Sequence, residues 1–251
     1  MSQYAIETIN LSVKFAENTV LDNINVRIEK GDFVGIIGPN GSGKTTFLKV
    51  ILNIFEPTSG HVLIFDKDLK DLPAGVIGYV PQIKTIDRSF PATALELVLS
   101  GIHNRWVGLK KRSDEKLALE ALELVGAAHY AKEQISNLSG GQLQRVYLAR
   151  CFASNPKILF LDEPATGVDL VCESSINELI EEYNKIRGVT ILMVTHDWTA
   201  AYHHTNKIML LNKQLVYFGD KNEAFTEINL QKTFSHLGHK HKVSFGLKNY
   251  E

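Results

Sequence analysis

The sequence predicts an α/β protein with a mostly parallel core sheet, an N-terminal antiparallel β subdomain and a helical subdomain. Three observations point there. Short apolar runs, FVGIIG at 33–38, KILFLDEP at 157–164 and GVTILMVTHD at 188–197, alternate with segments of helical period. Residues 9–29 read instead as strand, turn, strand. From 92 to 155 the pattern is mostly helical and splits the strand-rich material in two.

The elements follow in order. INLSVKF at 9–15 and VLDNINVRIE at 20–29 are strands around the turn AENT, and KGD turns the chain into FVGIIG. KTTFLKVILNIF at 44–55 carries apolar residues at helical spacing, and EPTSG ends it because proline and glycine disfavour continuation. GHVLIF and VIGYVPQ are further strands. ATALELVLSG, SDEKLALEALELVGA at 113–127 and GGQLQRVYLARCFAS are helices, the second with acidic residues near its start. A helix is expected around 171–186, and KIMLLN with QLVYFGD forms a closing hairpin. The remainder, 223–251, is polar and contains histidines.

The 251 residues allow one large or two modest lobes, and 44 % hydrophobic residues suit a soluble globule. A formal charge of -1 offers no broad basic field for nucleic acid. The two cysteines, Cys151 and Cys172, form no CxxC pair, which fits a reducing compartment and not a disulfide scaffold. The opening MSQYAIETINLSVKF lacks the charged flank and apolar core of a signal peptide. No apolar run reaches the roughly 18 residues of a membrane span.

GPNGSGKT at 38–45 fits G-x-x-x-x-G-K-[ST] in full, after an apolar strand and before a helix. Glycines let backbone N–H groups curl around anionic oxygens, and the helix start adds unpaired donors. The cradle runs through Gly38, Pro39, Asn40, Gly41, Ser42, Gly43, Lys44, Thr45 and Thr46. Lys44 can reach β and γ phosphates, and Thr45 can ligate Mg²⁺. In KILFLDEP, Asp162 leaves the carboxyl end of a buried strand, where it can hold Mg²⁺. Glu163 is next, points differently because strand side chains alternate, and can polarise an attacking water. Gln82 in YVPQ can reach water or Mg²⁺ with its amide oxygen, and His196 in VTHD can sense a γ-phosphate. Phe15 presents a ring for adenine stacking.

A second glycine-rich stretch, LSGGQLQR at 138–145, raises the question of why one chain needs two. One triphosphate needs one principal cradle. Ser139, Gly140, Gly141 and Gln142 therefore suit a surface that closes the site of a second copy, giving two composite sites under two-fold symmetry.

Together these motifs resemble the ATP-binding-cassette ATPases over roughly residues 6–225. The resemblance implies a P-loop NTPase core in a single domain, 1–225, with the helical subdomain inserted at about 88–155 and a tail at 226–251. It identifies Gln82 with the Q-loop, LSGGQ with the signature loop, Glu163 with the catalytic glutamate and His196 with the switch histidine. ATGVD at 165–169 keeps the aspartate of the D-loop but departs from SxLD at Thr166, Gly167 and Val168. ATP and Mg²⁺ are the implied cofactors. The implied partners are a second copy in a head-to-tail dimer and a polytopic membrane permease, at the cytoplasmic face of the membrane.

YVPQIKTIDRSFPATALELVLSG, LDEPATGVD and THDWTAAYHHTNKIMLLNKQLVYFGD are similar to the zinc and manganese importer ATPases. That implies metal import served by a metal-binding receptor. Iron-chelate or cobalamin importers, separately assembled exporters and soluble non-transport members are the alternatives. His236, His239 and His241 offer imidazoles for a regulatory metal, or belong to a polar end of the chain. His203 and His204 are expected on a helix surface.

Overall fold

The computed structural model of the chain describes residues 3–82, 89–102, 112–167 and 169–234. Two long strands, β1 (Tyr4–Phe15) and β2 (Asn18–Glu29), form an antiparallel hairpin closed by the Phe15–Asn18 pair. β3 (Phe33–Ile37) leaves this hairpin for a second sheet, and helix α1 (Lys44–Ile51) follows it. β4 (Ser59–Ile64) and the short β5 (Lys67–Asp68) return to the first sheet, whose order is β2-β1-β4-β5.

β1 starts earlier than residue 9 because its apolar alternation is interrupted. Thr8 points inward, with its hydroxyl donating to Ile24 O at 3.0 Å and accepting from Val26 N at 3.1 Å. A buried polar group is tolerated when it is satisfied in this way.

The second sheet takes in β6 (Ile77–Val80), β7 (Ile158–Asp162), β8 (Thr190–Val194), β9 (Lys207–Asn212) and β10 (Gln214–Asp220). Its order is β10-β9-β3-β8-β7-β6, parallel except for the β9–β10 hairpin. Every residue of β3, β7 and β8 is buried, which is why these segments read as continuous apolar runs.

Alternation along β7 divides two cores. Leu159 and Leu161 join the core shared with α2 (Ala94–Ile102), α3 (Arg112–Leu124), α4 (Gly140–Ala153) and α5 (Leu170–Arg187). Ile158 and Phe160 face the other core, where Phe47, Leu48 and Ile51 of α1 meet the antiparallel sheet. α4 belongs to both the helical insert and the sheet layer. It packs on α2, α3 and β6, and its Phe152 ring stacks on Tyr183 of α5 at 3.7 Å. The loop at the start of α4 is therefore carried on a helix braced against the core.

α1 is shorter than the segment 44–55 suggests. Asn53 adopts a left-handed φ of 57°, and the N–H groups of Ile54 and Phe55 both donate to Lys49 O. Asparagine is one of the few residues that enter this helix-ending conformation readily. Phe55 is thereby turned towards Phe15, with ring centroids 5.4 Å apart.

After β8 come α6 (Trp198–His204), α7 (Lys221–Ala224) and α8 (Glu227–Phe234). α8 is a helix where composition suggested only a polar remainder. It buries Leu230 and Thr233, and the Thr233 hydroxyl is satisfied by Asn229 O at 2.7 Å. His203 is exposed on α6, as expected, whereas His204 is half-buried. Its Nδ1 lies 2.8 Å from Glu181 of α5, because α6 packs its last turn against that helix.

Candidate functional site

The first glycine loop begins where β3 ends. A Cβ on Gly38 would lie 2.0 Å from Leu211 O and 2.6 Å from Ser42 Oγ. No side chain fits there, so the backbone passes tightly over β9. The loop is tied down by Lys213 N donating to Ser42 O at 2.9 Å. Gly43 holds φ at 98° beside Val20 O and Leu21, which no L-residue with a Cβ accommodates without strain.

Gly43 is also the N-cap of α1, and no side chain caps the helix. The first N–H groups of a helix lack intrahelical acceptors, so this end presents bare donors. Asn40 and Gly41 are exposed at the loop's outer edge, and Thr45 and Thr46 are half-buried on the first turn. The Ser42 hydroxyl is buried without a hydrogen-bond partner. An orphaned polar atom under a ring of backbone donors fits a cradle for phosphate oxygens.

The Lys44 ammonium spans the loop, donating to Gly38 O and Pro39 O at 2.8 Å each. Burial lowers its pKa, and Glu163 and Asp162 oppose that by favouring the charge. Asp162 closes β7, 7 % exposed. Burial and then Glu163 push its carboxyl up; Lys49, a hydrogen bond from the Thr45 hydroxyl, and Lys44 pull it down. A carboxylate and a hydroxyl meeting at a strand end are hard oxygen donors, which is the set Mg²⁺ takes.

Glu163 departs from the expectation of strand alternation. β7 stops at Asp162, and Glu163 sits at a left-handed φ of 50° with its N–H donating to Val194 O at 2.9 Å. The chain turns under it, and its side chain becomes a hub. Gln82 Nε2 donates to Glu163 Oε2 at 2.8 Å, Thr166 Oγ1 donates to the same oxygen at 3.1 Å, and His196 Nδ1 lies 3.8 Å away. Gln82, whose amide oxygen is expected to meet water or Mg²⁺, holds the carboxylate through its amide nitrogen. Thr166 was expected only as a departure in the D-loop, yet it orients Glu163. A threonine three residues after a glutamate carries no sequence signal for this, because the turn that joins them is set by the left-handed residue between strand and loop. Lys49 was likewise missed: it is an ordinary helix lysine until α1 lies beside β7.

Phe15 is 46 % exposed at the hairpin tip, with the edge-on Phe55 ring fixing it. Its free face is available for stacking.

The second glycine loop is built differently. Ser139 caps α4 in a reciprocal capping box: its Oγ accepts from Gln142 N at 3.3 Å, and Gln142 Oε1 accepts from Ser139 N at 2.8 Å. Gln142 Nε2 donates to Tyr130 Oη at 2.6 Å. Ser139, Gly140, Gly141 and Gln142 line an open cleft of ≈ 590 Å³ with Tyr130, Gly167, Asp169 and Cys172, and no residue of the first loop reaches it. Asp169 caps α5, accepting from Cys172 N at 2.9 Å. Val168 lies outside the described residues.

The model of the family described as ABC transporter matches residues 21–166. The chain belongs to the ABC transporter family. The manganese transport system ATP-binding protein MntB of Bacillus subtilis (strain 168) is 43 % identical over 234 residues, covering 92 % of each chain. The zinc uptake system ATP-binding protein ZurA of Listeria innocua serovar 6a is 39 % identical over 223 residues, covering 87 % of this chain and 86 % of the other. Among solved structures, the dimeric post-hydrolysis state of the ATP-binding cassette MJ0796 bound to ADP and Pi superposes with a TM-score of 0.74 at 31 % identity, over 86 % of this chain and 98 % of that one. The expected cassette fold, with its mixed sheets and helices, is therefore present.

His236, His239 and His241 lie outside the described residues. Among the described residues no group of three or more histidines, cysteines or acids could hold a metal ion. Among them, too, no helix is long and apolar enough to cross a membrane.

Proposed function

We propose that this ABC transporter chain is the ATP-hydrolysing subunit of a metal-ion importer, with manganese or zinc as cargo. The observation that carries the hydrolytic part is the convergence of Gln82, Thr166 and His196 on Glu163, beside Asp162 and Lys44. Backbone donors of Gly38–Thr46 and the Lys44 ammonium bind the triphosphate. Glu163, held by Gln82 and Thr166, takes the proton of the attacking water. His196 stands where it can meet the γ-phosphate. Asp162 and Thr45 are the groups that would hold Mg²⁺, which when bound neutralises charge on the phosphate oxygens.

The signature-loop cleft stands apart from the cradle in one chain. A second copy placed head to tail brings Ser139–Gln142 over the partner's triphosphate, the arrangement that two separate loops call for, and the dimeric cassette among the structural neighbours supports it. Coupling to a polytopic permease, with a metal-binding receptor supplying cargo, follows from the transport systems named for the relatives. Phe90, 65 % exposed, and α2 present the surface for the permease; residues 83–88 of that segment lie outside the described residues. The relatives' names favour manganese and zinc over an iron chelate or cobalamin.

The test is uptake into vesicles holding the chain together with its membrane permease. ATP-driven accumulation of Mn²⁺ or Zn²⁺, lost with Glu163→Gln, is the expected result. ATP turnover with uptake of neither ion would overturn the cargo assignment and leave the ATPase standing.

A further inference from the structure

We propose that Trp198 and Phe234 are positioning residues for His196, so that the C-terminal helix α8 sets how this histidine meets Glu163. The inference rests on the ATPase reading above and adds a control element to the same site.

His196 has little packing of its own; its side chain is 66 % exposed. Its place is set by the chain on either side. Upstream, Thr195 is buried, its N–H donates to Ile36 O at 3.2 Å, and its hydroxyl accepts from Asp197 N at 3.0 Å. Downstream, Asp197 caps α6 by accepting from Thr199 N and Ala200 N at 2.8 and 3.0 Å. Trp198 is the first residue of α6, so whatever holds its indole holds the second anchor.

Two rings from the C-terminal part of the chain do so. Phe234, the last residue of α8, lies 4.6 Å from the indole centroid, and Phe225 lies 6.1 Å away. Aromatic pairs at these separations are attractive beyond their apolar burial. The rings rest on a small core of Ile37, Ala201, Ile208, Leu210 and Ala224. Ile37 immediately precedes Gly38, so the core underlies the phosphate loop as well. α8 itself is seated firmly: Leu230 and Thr233 are buried, Asn229 Nδ2 donates to Ala224 O at 3.1 Å, and Asn212 Nδ2 donates to Lys232 O at 3.4 Å.

The His196–Glu163 separation of 3.8 Å lies just beyond hydrogen-bond range. A shift of less than about 1 Å at the start of α6 makes or removes that contact. Removing the Phe234 ring opens one wall of the Trp198 seat and loosens the second anchor, whereas the phosphate cradle keeps its backbone ties.

The test uses the full chain in a Trp106→Phe background, which leaves Trp198 as its one tryptophan. Phe234→Ala should lower single-turnover ATP cleavage about tenfold with KM for ATP changed less than about twofold, and Phe234→Leu should recover most of the rate. Adding Phe234→Ala to His196→Ala should cost no further rate. Trp198 emission should respond to ATP in the parent and lose that response in Phe234→Ala. An equal rate loss from Phe234→Ala with and without His196 would overturn the proposal, as would an unchanged rate with an unchanged ATP response. If the parent cleaves ATP no faster than Glu163→Gln, the ATPase reading itself has failed, and this proposal falls with it.

Discussion

The loops at Gly38–Thr45 and Leu138–Arg145 both lead into helices, but α1 and α4 start in opposite ways. α1 opens on a left-handed glycine with no side-chain cap, and its loop is pinned over β9 with a buried, unpartnered hydroxyl beneath it. α4 opens on a complete capping box, and its glycines face an open cleft. An uncapped helix end is unstable alone and gains most from an anion. A capped end is satisfied within its own chain and can wait on the surface. On the proposed reading, one chain carries a cradle and a lid for another copy's cradle, and the difference follows the caps.

Several substitutions would break or sharpen that contrast. The largest effect should come from Lys44→Ala, which removes the ammonium bridging Gly38 O and Pro39 O. ATP affinity should fall about 100-fold in equilibrium binding, whereas Ser139→Ala should leave single-chain affinity within about twofold. Equal losses from both would mean that one chain uses both loops. Next is Gly43→Ala. A methyl 2.6 Å from Leu21 and 2.7 Å from Val20 O, at a φ of 98°, leaves no room. Urea unfolding should show a loss of about 2–4 kcal/mol. Ser139→Ala should cost about 1 kcal/mol through the lost cap, and should also reduce ATP-driven dimerisation measured by light scattering with Glu163→Gln. The smallest effect on folding concerns the thiols. Burial pushes the Cys151 thiol up to about 12, so it should resist iodoacetamide at pH 8. Cys172, half-buried on the rim of the signature-loop cleft, should react. Mass spectrometry locates the adduct, and ATP affinity should be unchanged while dimerisation is weakened.

Much of the site was legible because its parts are local. A glycine loop between a strand and a helix, or an acid at the end of an apolar strand, is a short-range pattern with a direct physical meaning. Lys44, Asp162 and His196 fall where those patterns place them. The side chains that orient the chemistry were not legible. Thr166 reaches Glu163 only because Glu163 takes a left-handed φ, and alternation along β7 suggested otherwise. Phe55 meets Phe15 only because Asn53 ends α1 early. α8 looked like polar tail because its burial rests on Leu230 and a self-satisfied Thr233, with too few apolar residues to mark a face.

The sequence by itself determined the order of the longer strands and helices up to the β9–β10 hairpin, the glycine loop between β3 and α1 and the acids at the end of β7, since each depends on neighbours within a few residues. Only the tertiary structure decided which groups hold Glu163, that the second loop stands away from the first, and that the last residue of α8, Phe234, packs on Trp198, two residues after His196. Those are contacts between segments tens to hundreds of residues apart, and they are set by how two cores pack on the two faces of one sheet.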